Sequence, residues 1–102
     1  MVNLRKGLVE FCVLAILARR STYGFDLARR LQRDGLAASD STLYPLLARL
    51  QASGLVDSEW QQSDAGRPRK YYLVTADGLA TLAAFKTAWV PLRDAVDEAM
   101  EG

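Results

Sequence analysis

Apolar residues recur at three- and four-residue intervals in four stretches of this 102-residue chain, and this spacing predicts four α-helices. The first stretch, Leu4 to Arg19, is apolar around most of its circumference, so we expect it to be buried on more than one side. The second spans Tyr23 to Arg33, the third ends near Ser53, and the last begins after Thr75, a predicted N-cap. The segment between the third and last stretches has a different pattern.

The two short middle helices should each turn one apolar face toward a core. Either Ser21 or Thr22 is placed to cap the second helix, and its expected inner-face residues are Phe25, Leu27, Ala28 and Leu31. The third helix has several N-cap candidates between Ser39 and Thr42, and we expect Pro45 in its first turns, where a missing N–H is tolerable. Its predicted buried stripe is Leu43, Leu46 or Leu47, and Leu50.

Two short strands follow the third helix. Apolar and polar residues alternate from Val56 to Gln62, a return strand runs from Arg69 to Val74, and turn-forming residues lie between them. Three short helices followed by a hairpin form the winged helix-turn-helix arrangement. The predicted fold class is therefore mainly α with a β-hairpin wing. We expect residues 1–75 to form a winged helix-turn-helix DNA-binding domain and residues 76–102 a C-terminal dimerisation helix in the same compact unit.

Composition argues against several classes of function. The chain has no histidine, no glycine-rich phosphate loop and no cysteine cluster, so we expect neither catalysis nor a metal or cofactor site. The single cysteine, Cys12, lies in an apolar run and is typical of a small buried hydrophobe. No signal peptide and no apolar run long enough for a bilayer are recognisable, so the expected location is the cytoplasm.

Charge is distributed unevenly along the chain. Residues 1–70 contain eleven basic and seven acidic residues, whereas residues 71–102 contain two basic and five acidic ones. A basic front with an acidic tail suits a nucleic-acid surface at one end of the molecule. A difference of this size also occurs in many neutral proteins, so the charge pattern alone decides little.

The third helix is the candidate recognition helix. Short polar side chains near a helix N-terminus can approach base edges in the major groove, and the N–H groups there can meet phosphates. Tyr44 can donate to phosphate or touch a thymine methyl, and Arg49 can pair with phosphate or guanine. The alternative is that the hydroxyls only cap the helix, Tyr44 packs, and Arg49 is solvated. The candidate DNA-binding residues here are Ser39, Ser41, Thr42, Tyr44, Pro45 and Arg49.

The hairpin tip is the second candidate contact with DNA. Arg67, Arg69 and Lys70 put three cations within four residues, which suits phosphate contact or insertion into the minor groove. Tyr23, at the start of the second helix, is placed to anchor the DNA backbone, as is Arg29. The competing interpretation is that the cations keep an exposed hairpin soluble and that Tyr23 belongs to the core.

The last helix carries an apolar seam spaced alternately by three and four residues, as in a coiled coil. A small winged domain has little spare surface for so long a helix, so dimerisation is the favoured interpretation and packing within the chain the alternative. Trp89 on this seam could also sandwich a flat apolar ligand between two subunits. The predicted dimer-interface residues are Leu4, Leu8, Leu82, Phe85, Trp89, Leu92 and Val96.

Several motifs together resemble the PadR family of transcriptional regulators. The stretch Ser41–Leu50, which reads Ser-Thr-Leu-Tyr-Pro-Leu-Leu-Ala-Arg-Leu, carries the strongest likeness. The sequence Tyr23–Leu27 is similar to the family's Tyr-Gly-hydrophobic-Glu-Leu signature, and Arg69–Tyr72 is similar to its wing. The resemblance covers essentially the whole chain, and the short length and single last helix are similar to the family's small members.

This resemblance implies a homodimer whose C-terminal helices exchange contacts, bound to double-stranded operator DNA. Some short members of the family bind flat aromatic compounds between the subunits and others respond to phenolic acids, so the resemblance makes Val9, Cys12, Val13, Phe85 and Trp89 candidate pocket walls for such an effector. Pro91, two residues after Trp89, departs from this pattern, because it should kink or break the helix and reshape the pocket.

We therefore expect a sequence-specific, ligand-responsive repressor that acts as a homodimer on a pseudo-palindromic operator. Two other functions remain open. One is a winged-helix module that binds proteins and has lost DNA binding. The other is a small-molecule binder in which the DNA role is secondary.

Overall fold

The computed structural model describes residues 4–36, 39–64 and 66–102, with side chains from residue 7 onward. Four helices and three strands follow one another along the chain. They are α1 (Leu4–Arg19), β1 (Thr22–Tyr23), α2 (Gly24–Arg33), α3 (Asp40–Ala52), β2 (Val56–Gln61), β3 (Arg69–Val74) and α4 (Ala76–Glu101). This order of three helices, a hairpin and a last helix confirms the predicted winged helix-turn-helix fold.

The sheet contains one strand that the sequence pattern did not predict. β3 lies in the middle and pairs antiparallel with β2 on one side and with the two-residue β1 on the other. Because Thr22 and Tyr23 pair with Tyr72 and Tyr71, α2 begins only at Gly24. The predicted caps are wrong, since Tyr23 occupies the N-cap position and the Thr22 hydroxyl donates to the carbonyl of Arg20.

The core is built from leucine and valine side chains of α1, α2 and α3, closed by the hairpin. Leu14, Leu27, Leu31, Leu43 and Leu47 are fully buried, and Leu46 and Leu50 are nearly so, which makes the α3 stripe wider than predicted. Phe25 was expected on the inner face of α2 and is instead 46% exposed. A helix advances about 100° per residue, so Phe25 points away from Leu27, two residues on.

α3 ends where Gly54 takes a left-handed conformation with φ of 79°. The amides of Gly54 and Leu55 then donate to the carbonyls of Gln51 and Leu50, which satisfies the last turn of the helix. Pro45 lies in the second turn of α3, within the first turns where it was expected, although the helix begins at Asp40, two residues earlier than a Ser41 cap would place it. Its missing N–H removes one bond, to the Ser41 carbonyl, and the helix continues through it.

α4 is anchored at its beginning and is exposed from Val90 to its end. The Thr75 hydroxyl accepts a bond from the Gly78 amide at 3.0 Å, which confirms the predicted N-cap. Gly78 and Leu82 are the only buried residues in this helix, which runs to Glu101 without a break at Pro91. Leu82 is 4% exposed, so it has almost no surface left for a partner, and its assignment is corrected from the dimer interface to the core.

Two residues of the predicted dimer seam lie in α1. The side chain of Leu4 lies outside the part of the chain whose side chains are described, and Leu8 is half-buried. None of the helices in the described ranges is both long and apolar enough to cross a membrane.

Candidate nucleic-acid interface

The N-terminal end of α3 presents a cluster of hydroxyl groups. Ser39 shares hydrogen bonds with Ser41 at 2.8 Å and with Thr42 at 3.2 Å, and none of the three caps a backbone N–H by its side chain. Ser41 and Thr42 are exposed. Because hydroxyls both donate and accept, this cluster can re-pair with base edges or phosphate oxygens at little cost. Gln32 fixes its position by donating to the Asp40 carboxylate at 2.9 Å, which joins α2 to α3.

Tyr44 joins α3 to the start of α2. A Cβ atom at Gly24 would lie 3.1 Å from the ring of Tyr72 and 3.6 Å from the ring of Tyr44. The bare backbone of Gly24 therefore lets both rings approach α2 closely. Partial burial, and next the Asp40 carboxylate, raise the pKa of Tyr44 above its usual value. Tyr44 is 40% exposed, so its phenol hydroxyl is accessible as a hydrogen-bond donor.

Pro45 and Arg49 complete the outer face of α3. Both are exposed, and Arg49 forms no ion pair with any carboxylate among the described residues. Since the buried stripe of α3 lies on the other side, the six residues predicted on this helix share one solvent-facing end and flank. The arrangement leaves polar and cationic groups free for an anionic surface.

The wing is closed at its tip by side-chain hydrogen bonds. The Ser63 hydroxyl donates to the Arg67 carbonyl at 2.5 Å, and the Gln62 amide donates to the Gly66 carbonyl at 3.3 Å. Arg67 projects from this tip and is exposed. These bonds restrict the tip more than its composition suggested.

The other two wing cations lie over aromatic rings. The guanidinium carbon of Arg69 is 4.9 Å from the centre of the Tyr23 ring, and the Lys70 ammonium is 5.5 Å from the Tyr72 ring. Tyr23 itself lies 5.8 Å from Tyr71, its strand partner. The structure therefore brings Tyr23 together with the wing, a contact that separated positions in the sequence did not indicate.

Trp60 is a wing residue for which the sequence pattern predicts no role in DNA binding or in the core. It pairs with Lys70 across the hairpin and is 68% exposed. Its strand phase matches Val56 and Ser58, and the Ser58 hydroxyl exchanges bonds with Gln51 of α3. The large exposed indole therefore lies on the side of the hairpin that faces α3, but beyond the end of the core.

The predicted effector pocket is partly filled by the chain itself. Phe85 stacks on Phe11 with ring centres 4.0 Å apart, and Trp89 stacks on Phe85 at 5.8 Å. Phe11 was not among the predicted walls, although its place one turn after Leu8 on an apolar helix could have indicated it. Only Trp89 and Phe85 of the five predicted walls combine ring faces with partial exposure.

The prediction that three α1 residues line this pocket is corrected in part. Val13 is fully buried and Val9 is 6% exposed, so both serve the core of the chain and offer no wall to a ligand. Cys12 is half-buried, and burial raises the pKa of its thiol, which disfavours the reactive thiolate. Across the described ranges, no group of three His, Cys, Asp or Glu side chains is placed to hold a metal ion.

A cleft lies elsewhere in the described part of the chain, between the end of α1 and α2. It has a volume of about 650 Å³ and is lined by three arginines, one aspartate, two tyrosines, two hydroxyl residues and two aliphatic residues. Arg19, Arg20 and Arg30 make this cleft basic, and no residue of α4 lines it.

The sequence and structure match one family and several proteins of the same kind. Residues 13–84 match the transcriptional regulator PadR-like family. Transcriptional regulator Rv3488 of Mycobacterium tuberculosis is 36% identical over 88 residues, which cover 86% of this chain and 81% of that protein.

Crystal structures of similar proteins extend this likeness to the whole fold. A PadR-like transcriptional regulator from Bacillus cereus is 33% identical, covers 99% of both chains and has a TM-score of 0.90. A PadR family transcriptional regulator from Eggerthella lenta is 39% identical, with 96% of this chain and 86% of that chain covered and a TM-score of 0.79.

Proposed function

Since this chain belongs to the PadR-like family of transcriptional regulators, which bind DNA and are not enzymes, we propose that it is a homodimeric, ligand-responsive repressor of a pseudo-palindromic operator. In this proposal residues 1–75 bind DNA, residues 76–102 dimerise, and the protein acts in the cytoplasm. The observation that carries the proposal is the pairing, on one small domain, of an exposed polar N-terminal face on α3 with a cationic wing.

The recognition helix supports a direct contact with bases. The hydroxyls of Ser41 and Thr42 can read base edges in the major groove, while Tyr44 donates to a phosphate and Arg49 pairs with phosphate or guanine. Two such helices fit successive major grooves when the half-sites are about 34 Å apart. The wing cations, with Tyr23, would add phosphate contacts that carry no sequence information.

The exposed apolar residues of α4 support the dimer. After Leu82 this helix buries none of its residues within the chain, yet Leu92 is 58% exposed and Val96 is 43% exposed. A helix gains most of its stability in water from packing an apolar face rather than from its own propensity. The chain is also elongated, 55 Å by 27 Å by 21 Å. A second copy that packs along this seam would cover the apolar residues of both helices.

Wing cations provide the first test. We expect Arg67→Ala/Lys70→Ala to weaken binding of every duplex at moderate salt, by about tenfold or more for each charge-assisted bond that is lost. The dependence of log K on log salt should flatten by about 0.9 for each phosphate contact removed. Fluorescence anisotropy measures both, with a labelled duplex that the wild-type protein has selected from a random pool.

Lys86→Gln on α4 is the matched control, because it removes one exposed cation at a distance from α3 and the wing. It should leave affinity and salt slope unchanged. If the wild-type protein selects no sequence and binds no duplex at low salt, the DNA-binding function fails, and the protein-interaction alternative takes its place.

An effector site at Trp89 predicts a fluorescence change. The stacked Phe85 and Trp89 rings offer a flat apolar surface beside the proposed dimer seam. In a Trp60→Phe variant, Trp89 is the remaining tryptophan. Titration of this variant with planar aromatic compounds and phenolic acids should quench or shift its emission at saturating concentrations, and the same compounds should weaken duplex binding. Quenching without any effect on DNA affinity would remove the ligand response from the proposal.

A further inference from the structure

A row of aromatic rings runs across the surface from the wing to α2. The ring centre of Tyr23 lies 5.8 Å from that of Tyr71 on β3 and 6.1 Å from that of Phe25 on α2. Two guanidinium groups cover this row, Arg69 at 4.9 Å from the Tyr23 ring and Arg29 at 4.8 Å from the Phe25 ring. We call these five residues the arginine–aromatic ridge.

Folding of the chain does not explain the ridge. Phe25 is 46% exposed and takes no part in the core cluster, so water surrounds much of a large apolar ring. A large exposed apolar side chain on a small protein usually marks a contact surface when it belongs to a group rather than standing alone. Phe25 belongs to such a group, because the Arg29 guanidinium lies over its ring and the Tyr23 ring is its neighbour.

Stacking on a ring prepares an arginine for phosphate. A free arginine side chain has many rotamers and loses that freedom when it binds. A planar guanidinium that lies over a ring is held in place by cation–π attraction, while its N–H edge stays free for a bidentate contact with an anion. Part of the entropy cost of binding is thereby met before the ligand arrives. Lysine has no plane to stack, so the residue type matters here.

Tyr23 links the two halves of the ridge. It pairs with Tyr71 in the sheet and is the N-cap residue of α2, so its ring lies where the wing meets the helix that supports α3. Gly24, the next residue, is the point at which Tyr44 of α3 approaches α2. The ridge is therefore continuous with the candidate interface and adds Arg29 and Phe25 to it.

We propose that Tyr23 and Phe25 are positioning residues that hold Arg69 and Arg29 as two preset ligands for phosphates of the DNA backbone. This proposal rests on the DNA-binding function proposed above. Tyr23 acts here through its ring and through Arg69, whereas a direct contact would use its hydroxyl. The two roles make different predictions for the same residue.

A double-mutant cycle tests the proposal on the selected duplex. Tyr23→Leu removes the ring and should weaken binding by about two- to fivefold per copy of the site, the strength of an exposed cation–π contact. Arg69→Gln should cost more and flatten the salt slope by about 0.9 per phosphate. If Tyr23 acts through Arg69, the Tyr23→Leu change should cost almost nothing once Arg69→Gln is present.

Two further variants separate ring from hydroxyl and geometry from charge. Tyr23→Phe keeps the ring and should keep most of the affinity. Arg69→Lys keeps the charge but loses the stacked plane, so it should bind less tightly than wild type with a similar salt slope. Circular dichroism melting checks each fold. If Tyr23→Leu unfolds, the pair Phe25→Leu and Arg29→Gln gives the same cycle on a more exposed ring.

The outcomes decide between the two levels of the proposal. The positioning role is overturned if the losses of affinity from Tyr23→Leu and Arg69→Gln are additive, or if Tyr23→Phe binds the duplex as weakly as Tyr23→Leu. Either result leaves the DNA-binding function intact. A wild-type protein that binds no duplex would instead remove the DNA-binding function itself. Coupled losses with rescue by phenylalanine support the ridge.

Discussion

Gly78→Ala should destabilise the domain by about 2–4 kcal/mol, toward the upper end of what overpacking costs. A Cβ atom at this position would clash with the backbone carbonyl of Leu55 and lie 2.6 Å from a methyl of Val74. The carbonyl cannot move aside cheaply, because it already accepts the Thr75 amide at 3.1 Å. For a domain of this size, such a loss lowers the melting temperature by about 10–25 °C, measured by circular dichroism.

Gly7→Ala is the matched control for this substitution. Gly7 also lies in a helix, but a Cβ atom there has no neighbour within 4 Å among the described residues. Alanine has the better helix propensity, so this variant should gain about 0.5–1 kcal/mol or change little. A Gly78→Ala protein that melts at the wild-type temperature would mean that α4 does not seat against Leu55 in this way.

The contrast between the two glycines shows what the sequence can predict. Helix α1 and strand β3 have the predicted bounds, because each depends on a local apolar or alternating pattern. The close approach at Gly78 depends on Leu55 and Val74, residues separated from it in the chain and joined to it only by the fold. Strand β1 was missed for the same reason, since its two residues become a strand only by pairing with β3.

One error was avoidable from the sequence. Phe25 was assigned to the inner face of α2 because it is apolar, although helical spacing places it about 200° from Leu27. Phe25 is exposed, and Arg29, four residues later, lies over its ring. Phe25 therefore belongs to the surface of the protein and not to its core. Trp60 is a similar case. Strand alternation places its side chain on the same face as Val56, but it does not show that the hairpin extends past the core at that residue.

The candidate site was predictable where charge and helix position decide it. Ser41, Thr42 and Arg67 are exposed, whereas Arg69 and Lys70 are half-buried. What the sequence could not supply was the pairing of cations with rings, such as Arg69 with Tyr23, 46 positions apart in the chain. The sequence also predicted that Val9 and Val13 of α1 are accessible to a ligand, whereas both are buried. When a helix is apolar around most of its circumference, the pattern does not show which side packs against the rest of its own chain.

The largest expected effect on function is at the proposed dimer seam of α4. Leu92→Asp/Val96→Asp should convert a dimer to a monomer, because two carboxylates per helix would have to enter an apolar contact unpaired. Both side chains are exposed in the single chain, so the monomer should stay folded, unlike a Leu82 variant, which would damage the core. Analytical ultracentrifugation measures the change in mass, and circular dichroism measures the fold.

DNA binding should fall with the dimer. Two half-sites bound by one linked pair gain about 10²–10⁴ in affinity over a single module, and a monomer loses that gain. Val90→Asp is the control, since Val90 is similarly exposed but lies about 200° around the helix from Leu92. The seam is supported if Val90→Asp dimerises and binds the duplex normally while Leu92→Asp/Val96→Asp is monomeric and binds weakly. If both variants stay dimeric, the partner must pack elsewhere, and the exposed apolar residues of α4 would need another occupant.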